Sequence, residues 1–285
     1  MRLVRGLLLL GVLALAGTVL WAALHARVHD VRPLARHVPH RTALMRQRAE
    51  EARREGRTAH VDVRWVPYER ISPWLRRAVL IAEDDAFYQH GGLDWNELQS
   101  ATRRNLEERR VVRGGSTITQ QLARNLFLGI QRTPTRKLEE IFLAFRLERA
   151  LSKRRIFELY LNLIEWGDGV YGAEAAARHW FGVPASRLNA RQSLALAAVI
   201  VNPRRFSPVA PSRRTERRIR MIASRMRRRG YLDEQAYALA IGRPRPAPVG
   251  DTLPVPAAES ALAAPPPLDS TASPDTTPVS PPATP

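Results

Sequence analysis

Three consecutive carboxylates, Glu83, Asp84 and Asp85, stand where an apolar helical stripe of Leu75, Ala78, Val79 and Ala82 runs out. Burial penalises the charged form of a carboxylate and raises its pKa, which suits a general base working near neutral pH. Glu83 continues the stripe, so it is the member of the trio set for partial burial. Asp84 projects about 100° further around the helix, so the two need not address one atom, and Asp84 could pair with a basic residue instead. The same residues would equally serve as an acidic helix end before the Gly91-Gly92 stop. His90 follows, and no second histidine at ligand spacing supports a metal site.

Three further groups could handle anions and sugars. Arg113-Gly114-Gly115-Ser116 leads into Thr117-Ile118-Thr119-Gln120, a capping-box pattern. Free N–H groups at the positive end of a helix dipole attract an anion. Gln121 and Asn125, four apart, share a helix face and offer amides of the kind sugars need. The segment is not a Walker loop, because the Gly-Lys-Ser/Thr ending is missing. In the third group, Arg136-Lys137 precedes Glu140, and Lys137 with Glu140 could simply be a surface pair. The fourth holds Lys153, Arg154, Glu158 and Asn162, with Arg154 one turn before Glu158 and Glu158 one turn before Asn162. Taken singly, each group also reads as an ordinary helix start or an i,i+4 pair.

Helices must position these groups. Ser72-Pro73 is a cap followed by proline at the first helical position. Leu138, Ile141, Phe142, Phe145 and Leu147 mark another helix, Ser152 can cap the next, and Asn189-x-x-Gln192 opens an apolar one that must stop at Asn202-Pro203. Alternating fragments such as Val61-Asp62-Val63 are too short for a substantial sheet. The spacing predicts a mainly α-helical domain with one core over residues 61–242.

The flanks are of different character. Residues 6–24 carry no charge and are long enough to cross a bilayer. Arg2 and Arg5 precede them, which places a short tip, residues 1–5, in the cytoplasm and the rest of the chain outside it. An uncleaved anchor is favoured over a signal peptide, because no small-x-small site falls cleanly after the run. Residues 25–60 read as a basic juxtamembrane stalk, helical over 41–57. Residues 243–285 hold 13 of the 22 prolines and read as a disordered tail. The net charge of +18 suggests a polyanionic partner. Export argues against nucleic acid. The absence of cysteine excludes disulfides and Cys-ligated metals. Arginine outnumbers lysine 43 to 2, so its abundance says little, and Lys137 and Lys153 become the more noticeable cations.

The four groups in this order resemble the peptidoglycan glycosyltransferases of glycosyltransferase family 51, the lysozyme-like domain of penicillin-binding proteins, and the stand-alone monofunctional members in particular. The likeness rests on Glu83-Asp84-x-x-Phe87-x-x-His90-x-Gly92, Gly115-Ser116-Thr117-Ile118-Thr119-Gln120-Gln121, Arg136-Lys137-x-x-Glu140 and Ile156-x-Glu158-x-Tyr160-Leu161-Asn162. Asn202-Pro203 and Phe206-Ser207-Pro208 resemble the last motif, so the match spans about residues 65 to 230. One departure is Arg124, where family members commonly carry lysine. No Ser-x-x-Lys, Ser-x-Asn or Lys-Thr-Gly signature follows, so no transpeptidase activity is expected.

The resemblance implies a two-lobed, lysozyme-like fold behind a single transmembrane helix of the inner membrane, with the domain on the periplasmic side. It implies polymerisation of lipid II onto a growing glycan strand with release of polyprenyl diphosphate. Glu83 would be the general base, and Glu158 would position the leaving group, a cation or a basic residue. Asp84, His90, Ser116, Thr117, Gln120, Gln121, Arg124, Asn125, Arg136, Lys137, Glu140, Lys153 and Asn162 would bind substrate. No cofactor is required, although Mg or Mn could bridge the pyrophosphate. Partners would be lipid II, the membrane and proteins of wall synthesis or division. By analogy, Leu126-Phe127-Leu128-Gly129-Ile130 would dip into the outer leaflet or lie in the core. Two alternatives stand beside this reading: a lytic enzyme of lysozyme-like fold, and a non-catalytic scaffold that binds lipid II.

Overall fold

A computed structural model describes residues 2–108, 115–130 and 133–242. The proline-rich tail expected over 243–285 lies outside them, as do Arg113 and Gly114 of the glycine-pair segment.

Eleven α-helices and one small sheet make up the described residues. Helix α1 (Arg2–Val28) is followed by α2 (Ala43–Arg54) and strand β1 (Asp62–Val63). Then come α3 (Pro73–Glu83), α4 (Trp95–Glu107), α5 (Ile118–Ala123), α6 (Pro134–Ala150) and α7 (Lys153–Leu163). Strands β2 (Glu165–Gly167) and β3 (Val170–Tyr171) precede α8 (Ala173–Phe181), α9 (Ala190–Val199), α10 (Arg213–Arg228) and α11 (Glu234–Ala240). The sheet order is β1-β3-β2, with β3 parallel to β1 and antiparallel to β2.

The caps follow the sequence. Thr117 and Asn189 accept from the backbone of Gln120 and Gln192, whose side chains accept in return from the cap N–H groups. Satisfying orphan donors in this way stabilises a helix start by about 1 kcal/mol. Ser152 caps α7 through the Arg155 N–H. Pro73 occupies the first position of α3 as expected, but Ser72 turns its hydroxyl to the Leu188 carbonyl instead of capping.

The core forms where α3 packs on α9 and α10, and where α5 packs between α6 and α7. Leu75, Val79, Ile118, Leu122, Leu143, Leu147, Phe157, Tyr160 and Trp166 are fully buried in it. Burying each such side chain contributes about 1.5–3 kcal/mol. The segment read as a basic stalk is folded against this body. Leu44, Met45, Ala49 and Ala52 of α2 are buried. Gln47 accepts from the Ile130 N–H, and Arg48 donates to Glu165 at 3.3 Å. Arginines on its outer face mask an apolar face that covers residues 126–130.

Of the two expectations for residues 126–130, that contact agrees with the core for Leu126, while Phe127, Leu128 and Ile130 stay half-buried. Residues Arg124–Leu128 form a π-helical turn continuing α5, with Leu126 buried, and α2 packs over it. Helix α1 is long and apolar enough to cross a membrane over Val4–Val28, with a mean hydropathy of 2.4. Its end docks on α6: Ala22 and Ala26 are buried, His25 Nδ1 lies 2.9 Å from Glu139, and Arg146 donates to the carbonyls of Ala26 and His29.

Candidate active site

Glu83 ends α3 with its carboxylate 11% exposed. Arg218 of α10 donates to one oxygen at 2.7 Å, and the Gln121 amide of α5 donates to the other at 3.1 Å. The Tyr160 hydroxyl donates to the Gln121 carbonyl oxygen at 3.0 Å, so the amide cannot flip without losing both bonds. Burial pushes the Glu83 carboxyl above its ordinary range, and Arg218 partly opposes that rise. Burial and the neighbouring Glu83 charge push the Tyr160 phenol well up, which keeps it a neutral donor.

The Glu83 carboxylate lines a cavity of about 810 Å³. Ser116, Thr117, Gln121 and Arg124 line the same cavity from the α5 side. Arg214, Arg218 and Arg225 of α10, with Arg229 just past its end, line it from the other side, at spacings of four, seven and four. Asp85 pairs with Arg229 at 2.6 Å. A second cavity, of about 430 Å³, adjoins the first across Gln121 and Arg124, and Asn125, Arg136 and Tyr160 line it. Arg124 and Asn125 open the π turn at 124–128, a kind of turn frequent at functional sites.

Other expected residues stand in or around the wall. Lys137 Nζ donates to Glu140 at 2.6 Å, to Ser116 Oγ at 3.0 Å and to Gln120 at 3.4 Å. Glu140 is fully buried, and Arg124 stands 3.7 Å from its second oxygen. The pair read as a surface interaction is therefore a half-buried cationic group aimed at Ser116. Arg136 donates to the Gly129 carbonyl at 3.2 Å.

Asp84 and His90 brace the site. One Asp84 oxygen accepts the Ile118 N–H at the start of α5 and the other lies 2.9 Å from His90 Nε2. Gly92, at φ 91°, presents its carbonyl to the Thr117 hydroxyl, and an added Cβ would meet Glu148 at 3.3 Å. Asp94 completes a group in which the ligand atoms of Asp84, His90 and Asp94 lie within 4.8 Å of one another. Both Asp84 oxygens are already engaged, so this group is a helix brace before it is a cation site.

Four expectations need correcting. Lys153 is turned away from Glu83: it donates to Glu148 at 2.8 Å and lies 4.3 Å over the Phe87 ring. Glu158 faces neither cavity; it accepts from the Tyr68 N–H at 2.9 Å and from Arg155 at 2.6 Å. Arg154 pairs with Glu69 instead. Asn162, fully buried, holds the Val66 backbone through both amide atoms. Residues distant in sequence, Phe87, Tyr68, Glu69 and Val66, share in these contacts, while Glu158 also keeps Arg155 and Lys153 keeps Glu148. Sequence reasoning missed Arg218 and its helix mates, because arginine is too common in this chain to stand out. The four-residue step from Arg214 to Arg218, on a helix opened by Ser212, was the available signal.

The transglycosylase family pattern matches residues 50–227. The chain belongs to the transglycosylase family. Its fold is accordingly the lysozyme-like, all-α fold of the transglycosylases, and the chain is a glycosyltransferase. A biosynthetic peptidoglycan transglycosylase of Laribacter hongkongensis is 50% identical over 188 residues, covering 66% of this chain and 82% of the relative. One from Methylobacillus flagellatus is 50% identical over 191 residues, covering 67% and 83%. One from Chromobacterium violaceum is 45% identical over 190 residues, again covering 67% and 83%. The transglycosylase match begins within α2, in keeping with the packing of that helix against the domain.

Proposed function

We propose that this peptidoglycan glycosyltransferase polymerises lipid II into β-1,4-linked glycan with Glu83 as general base. The observation that carries the reading is Glu83, 11% exposed and held by Arg218 and Gln121, on a cavity that five arginines line together with Asp84, Asp85, Asp94 and Glu97. The attacking group is the 4-hydroxyl of an incoming lipid II. Glu83 takes its proton as the oxygen attacks C1 of the growing strand. The bond from C1 to the polyprenyl diphosphate breaks on the opposite face, and the diphosphate leaves with the electron pair. One displacement inverts the α linkage to β.

Two adjoining cavities suit two glycolipid substrates. Arg124, Arg136 and Lys137 supply charge for the leaving diphosphate, where charge-assisted hydrogen bonds are strong. Ser116, Gln121 and Asn125 offer polar contacts to phosphate or sugar. Thr117, Gln120, Asp84, His90 and Glu140 hold those groups in place. The reading calls for no cofactor. A lytic glycosidase acting on uncharged sugars has no need of Arg124 and Arg136 on the cavity wall and Lys137 aimed at Ser116.

Helix α1 would anchor the enzyme in the inner membrane, with the domain on the periplasmic side. Confinement to the bilayer raises the effective concentration of a lipid-linked substrate. The test is purified full-length protein with labelled lipid II. A polymer that lysozyme digests is the expected product, and its absence would remove the reading. Binding of lipid II without polymer would support the scaffold alternative.

A further inference from the structure

Beside the junction of α1 and α6 lies a third cavity, of about 650 Å³. Ala23 and Arg27 of α1 and Phe142, Phe145 and Arg149 of α6 form its mostly apolar wall. Glu83, Gln121 and Arg218 do not line it.

Its depth in the bilayer follows from helix geometry. The uncharged run from Gly6 to Leu24 is 19 residues. At roughly 1.5 Å per residue it nearly matches the ~30 Å hydrocarbon layer. Ala23 then sits at the edge of the hydrocarbon, and Arg27, one turn on, reaches the level of the lipid phosphates. The cavity therefore lies at the boundary of hydrocarbon and headgroups, with Ala23 at the hydrocarbon edge, Arg27 one turn beyond it, and the α6 wall beside residues 25–29 of the chain.

The charges at the mouth are not neutralised by the protein. Arg27 and Arg149 are exposed, and neither has an ion-pair or hydrogen-bond partner among the described residues. Arg146 is committed to the carbonyls of Ala26 and His29, and Glu148 to Lys153 and Thr119. Two unpaired guanidinium groups above an apolar slot match one phosphate above one hydrocarbon chain.

We propose that this cavity holds an anionic phospholipid of the surrounding bilayer. Its phosphate lies between Arg27 and Arg149, and an acyl chain runs along Phe142, Phe145 and Ala23. The bound lipid would fasten the anchor to α6, the helix that carries Lys137 and Glu140. The inference rests on α1 being the membrane anchor.

Native mass spectrometry of the detergent-purified full chain tests it, with equimolar phosphatidylglycerol and phosphatidylcholine. One retained phosphatidylglycerol is expected, in preference to the zwitterionic lipid. A basic residue near a lipid surface is worth about a fivefold preference, so Arg27→Ala/Arg149→Ala should lose roughly thirtyfold. Arg36→Ala/Arg41→Ala removes two exposed arginines elsewhere and should keep the preference. Equal retention of both lipids would overturn the proposal, as would an equal loss in the two double variants. Displacement by polyprenyl diphosphate would assign the cavity to the substrate and overturn it too. Flotation with phosphatidylcholine vesicles separates the two readings. Failure to float removes the anchor and this inference together, whereas flotation without lipid preference removes the inference alone.

Discussion

Glu83 and Glu158 have almost the same immediate chemistry and opposite surroundings. Each accepts from an arginine, at 2.7 and 2.6 Å, and each has a second donor at 3.1 and 2.9 Å. They are similarly exposed, at 11% and 16%. At Glu83 the second donor is the Gln121 amide, itself on the cavity wall. At Glu158 it is the Tyr68 backbone N–H, and the paired Arg155 also donates to the Leu34 and His37 carbonyls. A side-chain donor facing a cavity can be replaced by a substrate hydroxyl. A backbone donor inside a packed corner cannot. Burial and an ion pair therefore do not distinguish a catalytic carboxylate from a structural one; the identity of the second donor does.

Glu83→Gln and Glu158→Gln would break that contrast most directly. Losing a general base lowers the rate about 10²–10⁴-fold. Glu83→Gln should do so in a lipid II polymerisation assay, with an unchanged circular dichroism spectrum. Glu158→Gln should keep polymerisation within about threefold per folded molecule. Its deficit should appear in denaturant unfolding, as a loss of about 1–3 kcal/mol from a weakened buried network. If Glu158→Gln abolished polymer without loss of stability, the two carboxylates would have to exchange roles.

The lysines repeat the contrast at a smaller scale. Lys137 reaches Ser116 on the cavity wall, whereas Lys153 is closed off by Glu148 and Phe87. Lys137→Ala should reduce turnover about tenfold or more, as expected for the loss of a charge-assisted contact to a leaving group. Lys153→Ala should leave turnover nearly unchanged and lower the melting temperature. Steady-state rates and thermal melts on both variants decide the matter.

Arg218 sharpens the comparison through pH. Burial raises the Glu83 carboxyl and Arg218 opposes that rise. A base must be deprotonated to act, so activity falls as pH drops through the Glu83 pKa. Removing the guanidinium with Arg218→Gln takes away the opposing charge and raises that pKa further. The acid limb of the rate profile should move to higher pH, while Arg155→Gln leaves it in place. An unmoved limb would mean that Glu83 is not the titrating base.

What could be read from the sequence follows the range of each interaction. The capping boxes at Thr117 and Asn189 were legible because both partners lie within one turn. Glu83 was legible because it ends an apolar stripe on its own helix. The partners of Glu158 at Tyr68, of Lys153 at Phe87 and of Glu83 at Arg218 lie 90, 66 and 135 positions away, and no local period encodes them. The stalk was misread for a related reason. Arginines at 46, 48, 53 and 54 make α2 look solvated, while Leu44, Met45, Ala49 and Ala52 carry its packing on a narrow face. In a chain with 43 arginines, charge marks the surface poorly and hides the cations that act.

Arg124 is where resemblance and geometry can be set against each other, and the expected effect is the smallest. The resemblance places lysine at this position. Arg124 lines both cavities and stands 3.7 Å from Glu140, whose other oxygen already holds Lys137 at 2.6 Å. That long approach is not a bidentate clamp, so the planar fork is not being used against Glu140. What the position needs is a positive charge at the junction. Arg124→Lys should therefore keep kcat within about threefold, since charge is retained and only donor geometry changes. Arg124→Gln should reduce it about tenfold or more, on the scale of a lost charge-assisted contact. If both substitutions were equally damaging, the fork itself would be engaged with substrate. The junction would then be a shaped diphosphate receptor in this enzyme, and the arginine bias of the chain would have been put to catalytic use there.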